Sequence, residues 1–516
     1  MRSIALRWPA GSKRVVALLA IFLSASAAIA STKPRYGGTL RVEFLAQSIS
    51  LDPRTWKPGS REFATNERLA ALVFDRLISL DNYGRFTPEL ATEWSHDVSS
   101  RHWQFTIRQG VRFSDGTSLT AADAAAALAP LLPEGLQISV SGNNLGFQSS
   151  EPRPDLLELL AFGRFFVYRT LSDGSLVGTG PFAVDANPVS TKPVVTEAVA
   201  TGMLTPQLFR FTANETCWAG RPFLDKIDVS FGMPPLRALF DLQLGKADIV
   251  ELAPDVVRRA TQSNNRVWSS SPLTLYALRS EDVQPQSTNE QLREALSLSV
   301  DRTTMASVLL QKQAEPAAAL LPQWLSGYAF LFHADMDLDR AKQLRASLPA
   351  NVAGGTLPLR LQTDISGDLA RLLAERVAVN ARQTGLTVQP LGKSAQHDAN
   401  AGTPEAAELH LFAWRYCSLS PGEELRALAR AMHAEDVKES SLADPDRRYA
   451  EERKLLEGRK LMPLVALPDY VGLVPAVRDW QPSPWGEWHL ADIWLEPAAT
   501  QKNTPPTVSS TPGARQ

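Results

Sequence analysis

WQFTIRQGVRFSDGTSLTAADA, residues 103–124, packs a strand, a turn and the start of a helix into one short stretch. Trp103, Phe105 and Ile107 alternate with Gln104 and Thr106, the period of a half-buried strand. Gln109-Gly110 turns the chain, Val111 and Phe113 are expected to continue the strand, and Ser114-Asp115-Gly116 closes it. Thr120 followed three residues later by Asp123 has the form of a capping box, opening an Ala-rich helix that stops by Pro130.

The same mixture continues outward. Leu40, Val42 and Phe44 alternate with charged residues and predict a strand. Leu292, Ala295, Leu296, Ser299 and Val300 share a helical face. Asp301 caps a following helix with Met305, Val308 and Leu309 on its apolar side. Leu369, Leu372, Leu373 and Val377 mark another helix, ended by Gly385 and followed by a strand. Sheets with packed helices define an α/β class. The polar stretch 392–405 reads as a long surface loop and the Thr/Pro/Ser-rich stretch 498–516 as a disordered tail.

Of 516 residues, 44% are apolar and 21% charged, the proportions of soluble globular protein, and the length suits about three domains. Lys and Arg total 53 against 55 Asp and Glu, so there is no basic excess for nucleic acid. Two cysteines, Cys217 and Cys417, exclude a disulfide scaffold and a four-cysteine zinc site; they are either two independent buried thiols or a single bridge, which export would permit. Seven scattered histidines form no metal-ligand spacing, and no triad or paired-carboxylate motif marks an enzyme. No metal, cofactor or catalytic residue is expected.

Residues 1–30 have the form of an export signal: Arg2, Arg7, Lys13 and Arg14, then an apolar run through Leu23, then Ala28-Ile29-Ala30 before Ser31. Cleavage near Ala30 would leave a periplasmic chain. Losing four basic and no acidic residues takes its net charge from −2 to −6.

A series of motifs then falls in order: Tyr36-Gly37-Gly38-Thr39-Leu40, Leu51-Asp52-Pro53, VFDRLISLDNYGRFTPELATEWS (73–95), the stretch 103–124, Gly178-Thr179-Gly180-Pro181-Phe182, Asn214 to Ile227 ending in WAGRPFLDKI, LQLGKADIV (242–250) and LREALSLSVDR (292–302). Together they resemble the extracytoplasmic solute-binding proteins of family 5, the peptide/nickel/oligosaccharide receptors of ABC importers, from about Tyr36 to Pro497. The resemblance implies a periplasmic binding protein type II-like α/β fold, hinged, with two ligand-binding lobes and an extra lobe. Its layout puts lobe I at 31–76, 179–271 and 479–497, lobe II at 77–178 and lobe III at 272–478. It implies a small solute, peptide-like or other, a permease and ATPase in the inner membrane as partners, and a monomer. The alternative is a binding fold that has left transport and acts as a sensor partner or chaperone-like module. Gly178-Thr179-Gly180 lacks the lysine and Ser/Thr of a phosphate loop, and the resemblance places it where the chain crosses between lobes.

In the peptide-binding members a GWxADYPDP-like segment lines the pocket, and its first Asp pairs with the peptide's α-ammonium. The matching segment here is Ala413-Trp414-Arg415-Tyr416-Cys417-Ser418-Leu419-Ser420-Pro421, with Cys417 at the anchoring Asp and Ser420 at the second Asp. A neutral thiol does not replace a carboxylate opposite an ammonium, so free-amine peptides are expected to bind poorly by that mode. Trp414 either stacks on a ligand or packs at a lobe edge. Arg415 either pairs with a ligand carboxylate or forms a structural ion pair. Trp56, Tyr416 and Ser418 complete the candidate pocket, and Trp218 reads as core.

Overall fold

A computed structural model describes residues 33–185, 207–263, 265–283, 289–328, 331–348, 358–365, 367–391, 406–433 and 444–497. The export signal, the 392–405 loop and the 498–516 tail lie outside the described residues.

The strands that organise the chain are, in order, β1 (Thr39–Glu43), β2 (Ala91–His96), β3 (His102–Ile107), β4 (Leu136–Ser141), β5 (Asn144–Ser149), β6 (Phe182–Val184), β7 (Gln207–Ala213), β8 (Lys226–Phe231), β9 (Ile249–Leu252), β10 (Arg266–Ser280), β11 (Leu359–Thr363), β12 (Val388–Pro390), β13 (Leu409–Arg415) and β14 (Leu461–Leu473). One mixed sheet runs β6-β7-β8-β1-β9-β14-β10-β13-β11-β12. The middle β1 is parallel to β8 and β9, as a strand fed by crossover connections must be. At its centre lies the long antiparallel pair β10 and β14, paired from Arg266–Leu473 to Arg279–Leu461. The register of this pair slips around Pro272, which faces Pro468, because neither proline can donate a ladder hydrogen bond. Strands of the proposed lobes I and III thus share one sheet, joined through β10 and β14.

A second antiparallel sheet, β2-β3-β5-β4, takes Trp103 to Ile107 of the stretch 103–124 into its β3. Phe105 and Ile107 are buried, and Phe105 meets Phe147 edge-on at 5.3 Å. The capping box at Thr120 forms, with both its hydrogen bonds, ahead of helix α2 (Ala121–Leu128), which follows α1 (Arg61–Val73) in chain order. Val111 and Phe113 do not continue the strand. They are buried, but the chain there is a turn closed by an Arg112–Ser118 bridge, with Gly110 at φ 79° and Gly116 at φ 86°.

Helices α3 (Pro235–Gln243) and α4 (Pro254–Thr261) cover one end of the large sheet. Helices α5 (Glu290–Ser299), α6 (Asp368–Arg382), α7 (Pro421–Ala431) and α8 (Pro445–Leu456) cover the other. Asp301 caps the next turn as expected, accepting from Thr304 N at 2.9 Å. Val308, expected on the apolar face, is exposed: Met305–Leu309 form a π turn, and the extra residue per turn rotates position 308 outward.

The chain enters the smaller sheet at Val73–Arg76 and returns at Gly178–Phe182, and these crossings lie side by side. Gly180 N donates to Val73 O at 2.9 Å, and a Cβ on Gly178 would overlap the Val73 carbonyl. Thr179 Oγ1 and Trp218 Nε1 both donate to Asp75 Oδ2 at 2.7 Å. These glycines serve close backbone approach.

Candidate binding seam

Helix α1 is buried on nearly all sides, so its charged residues require partners inside the protein. Arg68, on one face, hydrogen-bonds Asp469 and donates from Nε to Gly486 O at 3.0 Å. Glu67, on another, accepts from Gly163 N and Arg76 Nη2, both at 2.8 Å. Arg76 reaches Glu487 at 2.7 Å and Gly163 O at 2.8 Å. Burial alone would raise Asp469, but Arg415 and Arg68 outweigh it and hold this carboxyl below its ordinary range. Burial pushes Glu67 up, offset in part by Arg76.

The segment marked by sequence leads out of β13 into this seam. Arg415 is 4% exposed and binds Asp469 at 2.6 Å, while its backbone pairs with Gly59. Trp414 is buried, with its indole flat against Gly59, where any Cβ would overlap the ring. Tyr416 is buried and donates to Leu320 O at 2.8 Å. Cys417 is partly exposed, and its carbonyl lies 2.5 Å from where a Gly163 Cβ would stand. Ser418 Oγ accepts from Ser420 N at 3.1 Å. Trp56 stands apart: its ring packs edge-on against Phe63 and Phe166, and its Nε1 donates to Ser50 O. The structure therefore gathers 414–418 at one place and seats Trp56 in the neighbouring core.

Sequence reading passed over Glu424, one turn into α7. Its carboxylate accepts from Trp414 Nε1 at 2.5 Å, Cys417 N at 2.9 Å and Ser418 N at 2.8 Å, so it sets the shape of the whole loop. Burial drives its pKa up to about 7 against these three donors. Burial and Glu424 together hold the Cys417 thiol well above its ordinary value. The only advance signal was an acidic residue in the first turn of a helix, where the helix dipole favours it.

Also missed was a clasp between the two sides of the seam. Arg153 Nη2 meets Glu423 Oε1 at 2.9 Å and its Nε meets Asp155 Oδ1 at 3.1 Å. Ser420 Oγ donates to Asp155 Oδ2 at 2.5 Å. Ser420 also caps α7, accepting from Glu423 N, so the clasp is built on the helix that holds Glu424. Cys217 and Cys417 are both free. Among the described residues no group of His, Cys, Asp or Glu is placed to hold a metal ion.

A large mixed sheet with a smaller unit attached through two adjacent crossings, closed over an ion-lined seam, is the architecture of a periplasmic binding protein of type II-like fold. The family model "Bacterial extracellular solute-binding proteins, family 5 Middle" matches residues 85–416, more than half of the chain, and the chain belongs to that family. It is 21% identical over 371 residues to the nickel-binding periplasmic protein of Escherichia coli K12, covering 64% of this chain and 68% of that one. It is 22% identical over 328 residues to the periplasmic murein peptide-binding protein MppA of the same organism, covering 55% of this chain and 58%, under two thirds, of MppA. The fold is also that of a dipeptide-binding protein from Pseudoalteromonas sp. SM9913 in complex with Met-Leu, with TM-score 0.69 and 16% identity, covering 89% of this chain and all of the other.

Proposed function

We propose that this chain is the solute receptor of an ABC importer, taking up a small solute in the periplasm and presenting it to a permease and ATPase in the inner membrane. It acts as a monomer and without chemistry. Residues 31–76, 179–271 and 479–497 form lobe I, 77–178 lobe II and 272–478 lobe III, with the signal removed near Ala30. The observation that carries the reading is the seam itself. Lobe II hangs on two neighbouring crossings and grips the 417–423 loop of lobe III at its far side through Arg153 and Asp155. Two lobes joined in this way can part and close over a solute, excluding water from it.

The solute meets the 414–418 segment in this reading, with Trp414, Arg415 and Tyr416 fixing the loop from behind while Cys417 and Ser418 face the opening. Trp56 supports α1 from the core. Family members are described as solute-binding proteins, and the absence of a catalytic role here follows that description. Among the described residues no helix is long and apolar enough to cross a membrane.

The test is to purify the mature protein from its native host, identify any co-purified small molecule by mass spectrometry, and add it back. Ligand raises the melting temperature, because it binds only the folded state, and shrinks the radius of gyration in solution scattering. A scattering profile unchanged at saturating ligand would remove the closure mechanism and favour an interaction module. Sequencing of the exported product is expected to find Ser31 at its N-terminus.

A further inference from the structure

Helix α3 (Pro235–Gln243) is apolar on two sides. Its inner side, Ala238, Leu239 and Leu242, is buried with Val256, Val257 and Ala260 of α4 (Pro254–Thr261) in one core cluster. Its outer side carries Leu236, Phe240 and, at the cap, Leu244. They are spaced four residues apart and so form one stripe along the helix. They are 51%, 40% and 67% exposed, so the core does not use them. Single exposed apolar side chains need no explanation, but three in line on one ridge mark a contact surface.

Cations flank the stripe. Arg259 of α4 lies over the Phe240 ring, 4.9 Å from its centre, and Arg258 beside it is exposed. Arg237 and Lys246, also exposed, stand on α3 and just past its end. Both lie near the buried Asp241, at 2.5 Å and 4.0 Å. Among the described residues no carboxylate forms an ion pair with Arg258 or Arg259. Four exposed bases thus stand against one exposed acid on these helices, Asp255, and two buried ones, Asp241 and Glu43. The ridge is basic in a chain whose net charge is −2.

A ridge of Leu and Phe flanked by Arg and Lys suits a lipid surface with anionic headgroups. The apolar side chains enter the acyl boundary while the cations stay with the phosphates. A protein partner would have to offer a groove shaped to this ridge, whereas a lipid surface deforms around it. We propose that α3 and the Arg258–Arg259 pair of α4 form a membrane-resting face, which lays the protein reversibly on an anionic phospholipid surface. Three apolar side chains and a few cations hold weakly, far short of a membrane anchor. This goes beyond the solute-binding reading and does not depend on it.

The test is co-sedimentation of the mature protein with vesicles of phosphatidylethanolamine and phosphatidylglycerol, and with vesicles of phosphatidylcholine alone. Binding is expected to the anionic vesicles at low salt, and to fall several-fold as added salt screens the exposed charges. Arg258→Gln and Arg259→Gln together are expected to weaken it about tenfold to thirtyfold. Phe240→Ser is expected to weaken it about tenfold. Val98, fully exposed in the turn after β2, is the control: Val98→Ser is expected to leave binding unchanged. No binding to anionic vesicles at low salt would overturn the proposal, and so would equal binding to phosphatidylcholine. Binding unmoved in both Phe240→Ser and the double arginine variant would overturn it too. Binding to native inner-membrane vesicles that trypsin treatment of those vesicles abolishes, with pure lipid failing, would assign the ridge to a protein partner instead. The salt series uses the unaltered chain, so it decides even where a variant folds poorly. None of these outcomes bears on solute binding, which calorimetry measures separately.

Discussion

Arg153→Ala breaks the clasp at its centre, and the structure sets the size of the effect. The Arg153 side chain is 5% exposed, and its guanidinium touches Glu423 at 2.9 Å and Asp155 at 3.1 Å. Charge-assisted hydrogen bonds of this kind are worth roughly 1.5–3 kcal/mol, and cutting one partner of a buried pair costs roughly 2–5 kcal/mol. Glu423 keeps Arg426 at 3.5 Å, and Asp155 keeps Ser420, so neither carboxylate is stranded and the lower end applies. Of these two Arg153 contacts only the one to Glu423 crosses the seam, so in the closure reading it alone is lost on opening, while the Arg153–Asp155 pair persists in both forms. About 2 kcal/mol lost from the closed form alone shifts the closed-to-open ratio about thirtyfold. Affinity for a solute that requires closure falls by the same factor. Calorimetry with the co-purified ligand measures the affinity, and scattering with and without ligand measures closure. Glu423→Gln is expected to weaken affinity less, since it retains one hydrogen-bonding oxygen. Affinity within threefold of wild type together with normal compaction would refute the argument. So would a large loss of unfolding stability with affinity intact, which would make the clasp a structural support.

Three further outcomes are expected. Glu424 has a folded pKa of about 7, above the ordinary 4.5, so its contribution to stability is present at low pH and is lost as pH rises through about 7, by about 3 kcal/mol in all. Urea midpoints are expected to be higher at pH 5.5 than at pH 8, and Glu424→Gln to flatten that difference. Cys417→Asp sets a second carboxylate against Glu424, so one of the two stays protonated and the variant melts lower at pH 8 than at pH 6. Arg164 faces the new carboxylate, so the gain in affinity for free-amine peptides stays under tenfold until Arg164→Ala is added, when calorimetry is expected to show ten- to a hundredfold. Gly59→Ala places a Cβ inside the Trp414 ring at φ 78° and is expected to cost about 3 kcal/mol in denaturant unfolding.

What sequence alone determined were features written in local order. The alternation of Trp103, Phe105 and Ile107, the Thr120 capping box and the helix faces at 292–300 and 369–377 all appear in the structure, because period and capping depend on residues within a turn or two. The ordered motifs carried the family because each is a short run recognisable in order, although what one of them serves, the close approach of Gly178 to Val73, is a tertiary contact. Where local rules failed, at Val111 and Phe113 and at Val308, a bridged turn and a π turn overrode the pattern.

Only the tertiary structure decided the seam. Glu67 and Gly163 lie 96 residues apart, Arg68 and Asp469 lie 401 apart, and Asp155 and Ser420 lie 265 apart. No periodicity links residues at such distances. Cys417 looked like a vacancy where a carboxylate belonged, while the carboxylate of this loop, Glu424, lay seven residues on in the next helix and folded back beneath it. Buried charge must find its partner wherever the fold brings one within reach, and that is a property of the closed chain in space.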